Sequence, residues 1–420
     1  MNKNQKMLDA ALQEIAIMEQ QLGKNHLDVA DAYVDLADMY QDMGYLDQSL
    51  TYQLKAIAIQ EQVLDKNDLD LTASYNHIAL TYHTAGQLPE ALEYALKDIA
   101  ISEQVLDPDD PELAISYNVL SGIYDAMGQY SEALKYALKD TAINEKVLDK
   151  NDMSLANSYN KLSMIYQSMG QLSEALNYCL KSLDIRQKAP HKNHLDIGTS
   201  YNNLSTIYRG MGEYSKALEY ALKNIAICER TLGKNDPDLA TSYNNIANIY
   251  LCIRQYPKAL SYCSKSLAIR EKSLNKNHPD LATSYNNISV IYQNMGQVLK
   301  ALNYCLKAIG IREKTLDSAH PELATSYNNL SNIYYFIGRK SEAFEYLQKA
   351  IDIFEQSLDN PHPDLAASYS SFAFFYREAN EIAKAKEYID KSIAAMNHIF
   401  PDGHPDMAKL LEFREGLNKT

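Results

Sequence analysis

The sequence predicts an all-α solenoid in which one short helical unit is repeated along the chain. Three tyrosine registers carry this prediction, because each recurs every 42 residues through nine copies without insertion. They run from Tyr33 to Tyr369, from Tyr40 to Tyr376 and from Tyr52 to Tyr388, so 27 of the 32 tyrosines mark the repeat. A period of about 20 to 50 residues is typical of solenoids, whose units bury their apolar faces against one another.

Composition and charge narrow the class of protein. The chain has 420 residues, of which 46% are hydrophobic and 22% charged, so it is neither wholly disordered nor collagen-like. Its 54 acidic and 40 basic side chains give a net charge of −14, which repels nucleic acid. No apolar run has the length of a membrane span, and the first residues contain no signal-like apolar segment. We therefore expect a cytoplasmic protein without nucleic-acid or membrane partners.

Each unit consists of two antiparallel helices. In the sixth unit, Tyr243, Ile246, Ala247 and Tyr250 follow the i, i+3, i+4, i+7 spacing of one helical face. A second apolar run of helical spacing occupies residues 259–274. The turn between the helices usually contains glycine, as a left-handed helix terminus requires. Two turns depart from glycine: Asn380 tolerates the left-handed conformation, whereas Arg254 predicts either a cost of about 1 kcal/mol or a different turn.

The links between units predict helix starts. They read LDPDDPELA, LGKNDPDLA and LNKNHPDLA, so Asp or His precedes the helix, Pro often opens it and an acidic residue follows. Six histidines share this position, a whole repeat apart from one another. We therefore expect capping rather than metal binding from His26, His194, His278, His320, His362 and His404.

The phase of the repeat predicts where the units begin and end. Residues 1–24 align with a second helix and form an N-terminal half-repeat, and residues 403–420 align with a first helix and form a C-terminal capping helix. Either these half-units are caps or the array was cut from a longer protein. Between them, at 25–402, we expect nine units, at about 27–68, 69–110, 111–152, 153–194, 195–236, 237–278, 279–320, 321–362 and 363–402.

The unit resembles the tetratricopeptide repeat. Its pattern of aromatic, Leu, small residue and Tyr in the first helix, and Ala in the second, is matched by Tyr201, Leu204, Ser205, Tyr208 and Ala217. The 42-residue length and the LGKNDPDLA link are similar to the kinesin light chain and nephrocystin type. The resemblance implies a right-handed superhelix whose first helices line a concave groove that binds extended peptides or a partner helix.

Motifs for catalysis are missing from the sequence. It contains no GxGxxG, GxxxxGK[ST], HExxH, CxxC or GxSxG pattern, so we expect neither an enzyme nor a cofactor. Cys179, Cys263 and Cys305 share one register on the buried side of the second helix, where they replace alanine as small core residues. A lysine that recurs in every unit, from Lys55 to Lys391, is expected on the solvated outer face, often paired with a glutamate four residues earlier.

Helical geometry predicts which side chains line the groove. If Tyr33 and Leu36 centre the buried face, the opposite face falls on positions 31, 35, 38 and 42 and their equivalents, which we call the groove face. In the first unit these positions are all acidic, which favours a basic partner or, alternatively, a solubilising end of the array. The residues are Asp31, Asp35, Asp38 and Asp42.

Other units present different chemistry on the groove face. Ile115 and Val119 of the third unit suggest a socket for an apolar side chain, unless the curvature of the array buries them. Later units contain asparagines whose amides could bond to an extended backbone, unless they are only a signature of the repeat. The expected groove residues there are Asn203, Asn245, Asn248, Asn287, Asn294, Asn329, Asn332 and Phe336. In the resembled family, asparagines in these registers contact bound peptide, which carries over to Asn203, Asn245, Asn287 and Asn329.

Charge is also uneven along the chain. Residues 1–150 contain 26 acidic and 10 basic side chains, for a net charge of −16, whereas residues 251–300 have a net charge of +5. We therefore expect a monomeric, non-catalytic scaffold or adaptor that holds an extended segment or helix of a partner protein. The alternative is a sensor or regulatory arm that controls a catalytic partner within a larger effector complex.

Overall fold

Twenty α-helices follow one another along the chain in a computed structural model, which describes residues 3–191, 193–357, 363–399 and 406–417. The described residues contain no β-strand, and none of their helices is long and apolar enough to cross a membrane. The helices are α1 (Lys3–Leu22), α2 (Leu27–Asp42), α3 (Leu46–Val63), α4 (Leu69–Thr84), α5 (Leu88–Val105), α6 (Pro111–Ala126), α7 (Tyr130–Val147), α8 (Met153–Ser168), α9 (Leu172–Lys188), α10 (His194–Gly210), α11 (Tyr214–Thr231), α12 (Pro237–Cys252), α13 (Tyr256–Ser273), α14 (Pro279–Asn294), α15 (Val298–Thr315), α16 (Pro321–Phe336), α17 (Lys340–Ser357), α18 (Pro363–Glu378), α19 (Ile382–Ile399) and α20 (Met407–Gly416).

The helices form two compact blocks. The N-terminal block comprises Met1–Ser168 and the C-terminal block comprises Met169–Thr420. Within each block, every helix packs on the next, and the most extensive contacts join the two helices of one unit, such as α2 with α3 and α12 with α13. The all-α repeat architecture predicted from the tyrosine period is thus confirmed. Consecutive helix pairs bury their apolar sides against the pairs before and after them.

The tyrosine registers build the core between paired helices. In the first unit, Tyr52 stacks on Tyr40 with ring centroids 5.5 Å apart and contacts Tyr33 at 5.8 Å. The Tyr33 hydroxyl donates to Glu19 of the preceding helix at 2.6 Å, and this bond recurs between tyrosine and the glutamate fourteen residues earlier. The recurring distances are 2.7 to 3.0 Å in the pairs Tyr75–Glu61, Tyr117–Glu103, Tyr159–Glu145, Tyr243–Glu229, Tyr285–Glu271, Tyr327–Glu313 and Tyr369–Glu355. Burial and the neighbouring carboxylate raise the pKa of Tyr33 to about 12, so the hydroxyl keeps the proton that it donates.

The recurring lysine lies on the outer face, as predicted. Lys97 pairs with Glu93 at 3.0 Å, and Lys223 pairs with Glu219 at 2.6 Å, both across one helical turn. The same lysines also lie over tyrosine rings, with the Lys97 ammonium 4.6 Å from the Tyr94 centroid. The lysine register therefore adds a cation–π contact to the surface ion pair, and it serves the helix itself.

Turns and helix starts follow the sequence pattern. In the two units without glycine at the turn, the turn residue is also left-handed, with φ of 58° at Arg254 and 61° at Asn380. Arg254 therefore adopts the left-handed conformation at a cost in free energy and does not form another turn. Nδ1 of His26, His278 and His320 accepts the N–H two residues on, at 3.2 Å, which confirms them as N-caps. Asn193 replaces His194 as the cap of α10, while His362 and His404 lie outside the described residues.

Buried arginines join three second helices to the first helix that follows. Arg270 Nη1 donates to the carbonyl oxygen of Asp280 at 3.0 Å and to Ser284 Oγ at 2.9 Å. Arg186 and Arg312 make the same pair of bonds to residues ten and fourteen positions downstream. Directional bonds, as well as packing, therefore set the placement of each following unit.

The cysteines are free thiols. Cys179, Cys263 and Cys305 are fully buried in second helices, as their shared register predicted. Burial raises the pKa of Cys263 and of Cys305 to about 12, which keeps both thiols protonated at neutral pH. Cys179, Cys263 and Cys305 therefore act as small core residues.

The last helix departs from the repeat. In other first helices the position of Leu36 is a buried leucine or isoleucine or a large aromatic, but α20 has Arg414 there, paired with Asp390 at 2.6 Å. Leu410, Phe413 and Leu417 instead pack against α18 and α19. The buried face of α20 is therefore shifted by one residue relative to that of the other first helices. This rotation of the helix places Phe413 beside the neighbouring aromatic side chains.

Candidate functional site

First helices of neighbouring units lie side by side within each block. In the N-terminal block, Thr81 Oγ1 of α4 donates to Gln41 Oε1 of α2 at 3.1 Å. In the C-terminal block, α10, α12, α14, α16 and α18 contact one another in series. The groove faces of successive first helices therefore form a continuous strip within each block, and this strip contains the sequence-predicted site residues.

The asparagines of the groove face form a hydrogen-bonded ladder. Asn245 Nδ2 donates to Asn202 Oδ1 of the preceding unit at 2.8 Å. The same bond joins Asn287 to Asn244 at 2.8 Å and Asn329 to Asn286 at 2.9 Å. One N–H of each groove amide is thus committed to the neighbouring repeat, whereas the sequence predicted that these amides bond to a ligand. A side-chain amide also has a second N–H and a carbonyl oxygen with which it can bind other groups.

Other groove residues differ in exposure. Asn294 is exposed and donates to the Val290 carbonyl oxygen within its own helix at 2.8 Å. The remaining amides of the expected set are half-buried: Asn203, which stands in the donor register of the ladder, and Asn248 and Asn332. The half-buried side chains reach the surface through only part of the amide, so they suit main-chain contacts rather than deep anchoring of a side chain.

The ladder ends in the ninth unit. Ser371 stands there at the position of the donor asparagine, and Asn328 Oδ1, the acceptor that it would meet, is buried without a hydrogen-bond partner. Each hydrogen bond between first helices of neighbouring units is one rung of the ladder, and the N-terminal block has a rung of different chemistry. Lys161 occupies the donor position of α8, and its ammonium donates to the Asn118 carbonyl oxygen at 2.7 Å and to Asn118 Oδ1 at 2.8 Å.

The Lys161 ammonium fits because the preceding unit leaves space for it. A Cβ at Gly122 would lie 3.4 Å from Lys161 Nζ, so alanine would just touch the ammonium and a longer side chain would crowd it. Desolvation lowers the pKa of Lys161, and the carboxylates of Asp140 and Asp125 oppose that shift. The lysine is therefore a structural rung of the ladder, and it lies near the carboxyl groups of Asp140 and Asp125.

The acidic stripe of the first unit is exposed, as predicted. Asp38 has a neighbour in His77 Nε2 at 3.2 Å, on the next first helix. Desolvation, followed by the charges of Asp28, Asp70 and Asp35, raises the pKa of Asp31. Among the residues that the structure describes, no lysine or arginine forms an ion pair with Asp31, Asp35 or Asp42. The stripe therefore presents negative charge to solvent.

The apolar socket predicted in the third unit is present only in part. Ile115 is 59% exposed, but Val119 is only 8% exposed because it belongs to the core cluster of the second and third units. The prediction that Val119 presents its side chain to a partner is thus wrong. Two residues of another groove register, Leu80 and Met164, are exposed on the same strip. The shared register with Asp38 is the signal that could have identified Leu80.

An aromatic pocket opens on the groove face of the eighth and ninth units. It has a volume of about 340 Å³, and Phe336 at its edge is 67% exposed. Tyr335 and Phe375 stack in its wall with ring centroids 4.0 Å apart. The pocket brings together two sequence-predicted residues, Asn332 and Phe336, with Tyr335, Ser370, Ser371, Phe374, Phe375 and Phe413.

Most residues of this pocket were not predicted from the sequence. Phe374 occupies the same groove register as Asn332, so the register alone could have identified it. Phe413 enters because of the rotation of α20, for which the repeat pattern contains no signal. The Arg377 guanidinium lies 5.1 Å from the Phe374 centroid and 4.7 Å from the Phe413 centroid, which places a cation beside the aromatic rings.

Comparison with known families matches most of the chain. A tetratricopeptide repeat family model matches residues 28–97, 70–146, 154–230, 216–272, 238–297 and 280–356, and a second model of the same repeat matches residues 365–406. No curated protein sequence matches the chain.

Solved structures share the fold at low sequence identity. The apo form of the quorum sensor NprR from B. thuringiensis has a TM-score of 0.60 and 17% identity, covering 91% of this chain and 100% of that chain. Aspartyl phosphate phosphatase F from Bacillus subtilis has a TM-score of 0.58 and 18% identity, covering 87% and 93%. Kinesin light chain-type TPR-like repeats of Podospora anserina are 27% identical, with a TM-score of 0.42, over 49% of this chain and 97% of that chain.

The ladder predicts a stability effect of a groove asparagine. Asn245→Ala removes the donor to Asn202 Oδ1, and we expect the free energy of unfolding to fall by about 1–2 kcal/mol. Asn294→Ala is the matched control, because it makes the same change of side chain at an amide that donates within its own helix rather than to a neighbouring unit. Urea unfolding of the two variants measures the difference. Equal unfolding midpoints would show that the ladder bond contributes nothing to stability.

Proposed function

The chain belongs to the tetratricopeptide repeat family, and we propose that it is a non-catalytic scaffold or adaptor that binds an extended segment of a partner protein on its groove face. The observation that carries this proposal is the aromatic pocket of the eighth and ninth units. Solenoids of this kind use the surface formed by successive repeats to bind partners. The pocket adds a place at which one partner side chain can be anchored.

The chemistry of the pocket supports an apolar anchor. Phe336 exposes two thirds of its surface to water, although a large apolar side chain gains free energy when it is covered. Phe374 and Phe413 extend the aromatic wall, and Asn332 and Ser371 add polar groups at its side. Apolar pockets with a few polar groups are the usual form of a binding site for a single side chain. An aromatic or branched aliphatic residue of the partner fits this description.

The N-terminal block supports a second contact of different chemistry. Its acidic stripe carries four exposed carboxylates, and Leu80, Ile115 and Met164 are exposed farther along the same strip. A basic segment that also contains an aliphatic residue is complementary to this surface. Charges of this kind act mainly on the rate of association and on partner choice.

Peptide selection tests the pocket. We expect that a displayed library of random 12-residue peptides, selected against the whole protein, yields peptides with an aromatic or branched aliphatic residue. Their affinity for the Phe336→Ser variant should be at least about tenfold lower than for wild type. The substitution removes an apolar contact with the peptide that contributes about 1.4 kcal/mol or more to binding. Leu299→Ser is the matched control, since Leu299 is 78% exposed outside the pocket. A selection whose peptides bind wild type and Phe336→Ser equally would reject the pocket as the binding site.

Association kinetics test the acidic stripe. The probe is a labelled peptide with four alternating lysines and arginines followed by Leu-Ile-Leu, mixed with the protein by stopped flow at several salt concentrations. Replacing Asp31, Asp35, Asp38 and Asp42 with Asn should slow association and flatten its salt dependence, because salt screens exposed charges beyond about 8 Å at physiological ionic strength.

A matched variant separates the stripe from total charge. Asp47, Asp65, Asp107 and Asp149 are exposed carboxylates outside the groove face, and replacing them with Asn changes the net charge equally. We expect this variant to retain the rate and salt slope of wild type more closely than the stripe variant does. Identical rates and slopes for wild type and the stripe variant would leave the stripe as a solubilising end.

A further inference from the structure

The sixth and seventh units have an excess of basic side chains. Residues 239–312 contain nine basic and two acidic side chains, for a net charge of +7, in a chain whose net charge is −14. Both acidic residues of this stretch are engaged within the chain. Glu271 accepts the Tyr285 hydroxyl at 3.0 Å, and Asp280 pairs with the buried Arg270 at 3.7 Å. The exposed cations therefore have no spare carboxylate within the stretch.

Two lysine registers of the second helices show how these units differ from the others. In the fifth and ninth units, each lysine of the two registers forms an ion pair with a glutamate three or four residues earlier. The pairs are Lys216–Glu213, Lys223–Glu219, Lys384–Glu381 and Lys391–Glu387, at 2.6 to 3.0 Å. The sixth and seventh units keep the lysines of both registers, and we call these four the basic face: Lys258 and Lys265 of α13, and Lys300 and Lys307 of α15.

The basic face lacks the glutamates. Uncharged side chains occupy their positions: Gln255, Ser261, Gln297 and Asn303. All four lysines are exposed, and no residue that the structure describes forms an ion pair with any of them. Their ammonium groups lie over tyrosine rings, with Lys265 5.1 Å from the Tyr243 centroid and Lys307 5.3 Å from the Tyr304 centroid. These contacts hold the ammonium groups on the outer face but supply no counter-ion.

A strained arginine adds to this charge. Arg254 stands in the turn before α13 with φ of 58°, where most units have glycine. A left-handed conformation is unfavourable for a residue with a side chain. The guanidinium of Arg254 is exposed, and it forms no ion pair with the part of the chain that the structure describes. Such strain is often found at functional positions, and here it places one more cation beside Lys258.

The extent of the basic face restricts the class of its partner. The outer faces of the fifth and eighth units carry exposed glutamates, Glu219 and Glu345, so the excess of positive charge ends on both sides. A membrane surface or a long nucleic acid would extend over these carboxylates and be repelled by the net charge of the chain. A short acidic segment of a protein contacts the basic face alone.

Helical geometry sets the spacing of the partner's charges. Lys258 and Lys265 are seven residues apart on α13, and Lys300 and Lys307 repeat this spacing on α15. Seven residues correspond to about 10.5 Å along a helix axis. An extended chain advances about 3.3 Å per residue, so its carboxylates match this distance when they are three residues apart.

We propose that the basic face, with Arg254 in the preceding turn, binds an extended acidic segment of a second partner protein whose carboxylates recur at every third residue. The basic face lies on second helices, whereas the aromatic pocket is formed by first helices. The inference therefore goes beyond the proposed function, because the chain holds two partners on different faces and brings them together. Single exposed ion pairs are weak, so the affinity depends on several of them forming together.

Removal of the lysines tests the basic face. The probe is a fluorescein-labelled peptide with four glutamates, separated from one another by two residues of glycine and serine. We expect saturable binding to wild type by fluorescence anisotropy at low salt, and an affinity at least tenfold lower when all four lysines of the basic face are replaced with Gln. The absence of saturable binding to wild type would overturn the proposal.

The matched control makes the same substitution in the same two registers of the fifth and ninth units, at Lys216, Lys223, Lys384 and Lys391. It changes the net charge equally, but these lysines have glutamates of their own. We expect this variant to bind the peptide nearly as tightly as wild type. Equal losses of affinity in the two variants would assign the binding to total charge and contradict the proposal.

A second variant keeps every lysine and adds the missing carboxylates. It combines Gln255→Glu, Ser261→Glu, Gln297→Glu and Asn303→Glu, which copy the glutamates of the fifth unit. We expect each lysine to pair within its own helix and the affinity for the peptide to fall about as far as in the lysine variant. An affinity equal to that of wild type would show that uncompensated charge does not make the site.

Two further probes decide the class of partner. A peptide with its four glutamates in one run has the same charge without the spacing, and vesicles that contain phosphatidylserine present negative charge on a membrane surface. We expect weaker binding of the run peptide and no co-sedimentation of the protein with the vesicles at the same salt concentration. Equal binding of the two peptides, or co-sedimentation that the lysine variant abolishes, would overturn the assignment of an extended acidic segment.

The groove peptide provides the control for folding. A library peptide whose binding depends on Phe336 should bind the lysine variant as tightly as it binds wild type, because the basic face contains no residue of the aromatic pocket. This result would show that the variant is folded and that the two surfaces are separate. A joint loss of both peptides would contradict the existence of two binding faces.

Discussion

A 42-residue helical pair cannot bury its apolar surface alone, and this constraint governs the whole structure. Each pair must meet the pairs on both sides, so the residues that form these contacts have to recur in a constant register. The bond from Tyr33 to Glu19 illustrates the consequence, because the same bond returns through most of the array with distances of 2.6 to 3.0 Å. An insertion in any unit would misplace the tyrosine, the lysine over its ring and the stacked pair behind it together.

The groove face is not held to the constant register that packing between units requires, and the units differ in its side chains. Most of its side chains lie away from the stacked tyrosines between paired helices, so acidic, aliphatic, amide and aromatic residues can replace one another there, whereas Val119 belongs to the core. The replacements still affect one another across units. Lys161 can occupy a rung because Gly122 leaves room, and Asn328 is unpaired because Ser371 is short. The aromatic pocket forms where Phe336 and Phe374 stand in the registers that Asn294 and Asn332 occupy one unit earlier.

The repeat made the fold predictable, whereas contacts across units made the site less so. The helix pairs and the capping role of His278 follow from local chemistry that returns every 42 residues, whereas the sequence left open whether the turn at Arg254 is left-handed. The groove register identified Asn332 and Phe336, since it depends only on helical geometry. It misjudged Val119, which the core cluster covers, and it treated the groove amides as free for a ligand when they bond to one another first. It could not include Phe413, because the rotation of α20 arises from the packing of one terminal helix.

Hydrogen–deuterium exchange with and without a selected peptide tests most directly the claim that the groove face is where a partner binds. The measurement follows backbone amides along the whole chain, so it locates binding without a substitution. We expect slower exchange in α16, α18 and α20 when the peptide is bound, because these helices contribute the pocket residues. Exchange in α17 and α19 should change less. Protection confined to α17 and α19, or to helices of neither group, would place the partner elsewhere and contradict the account.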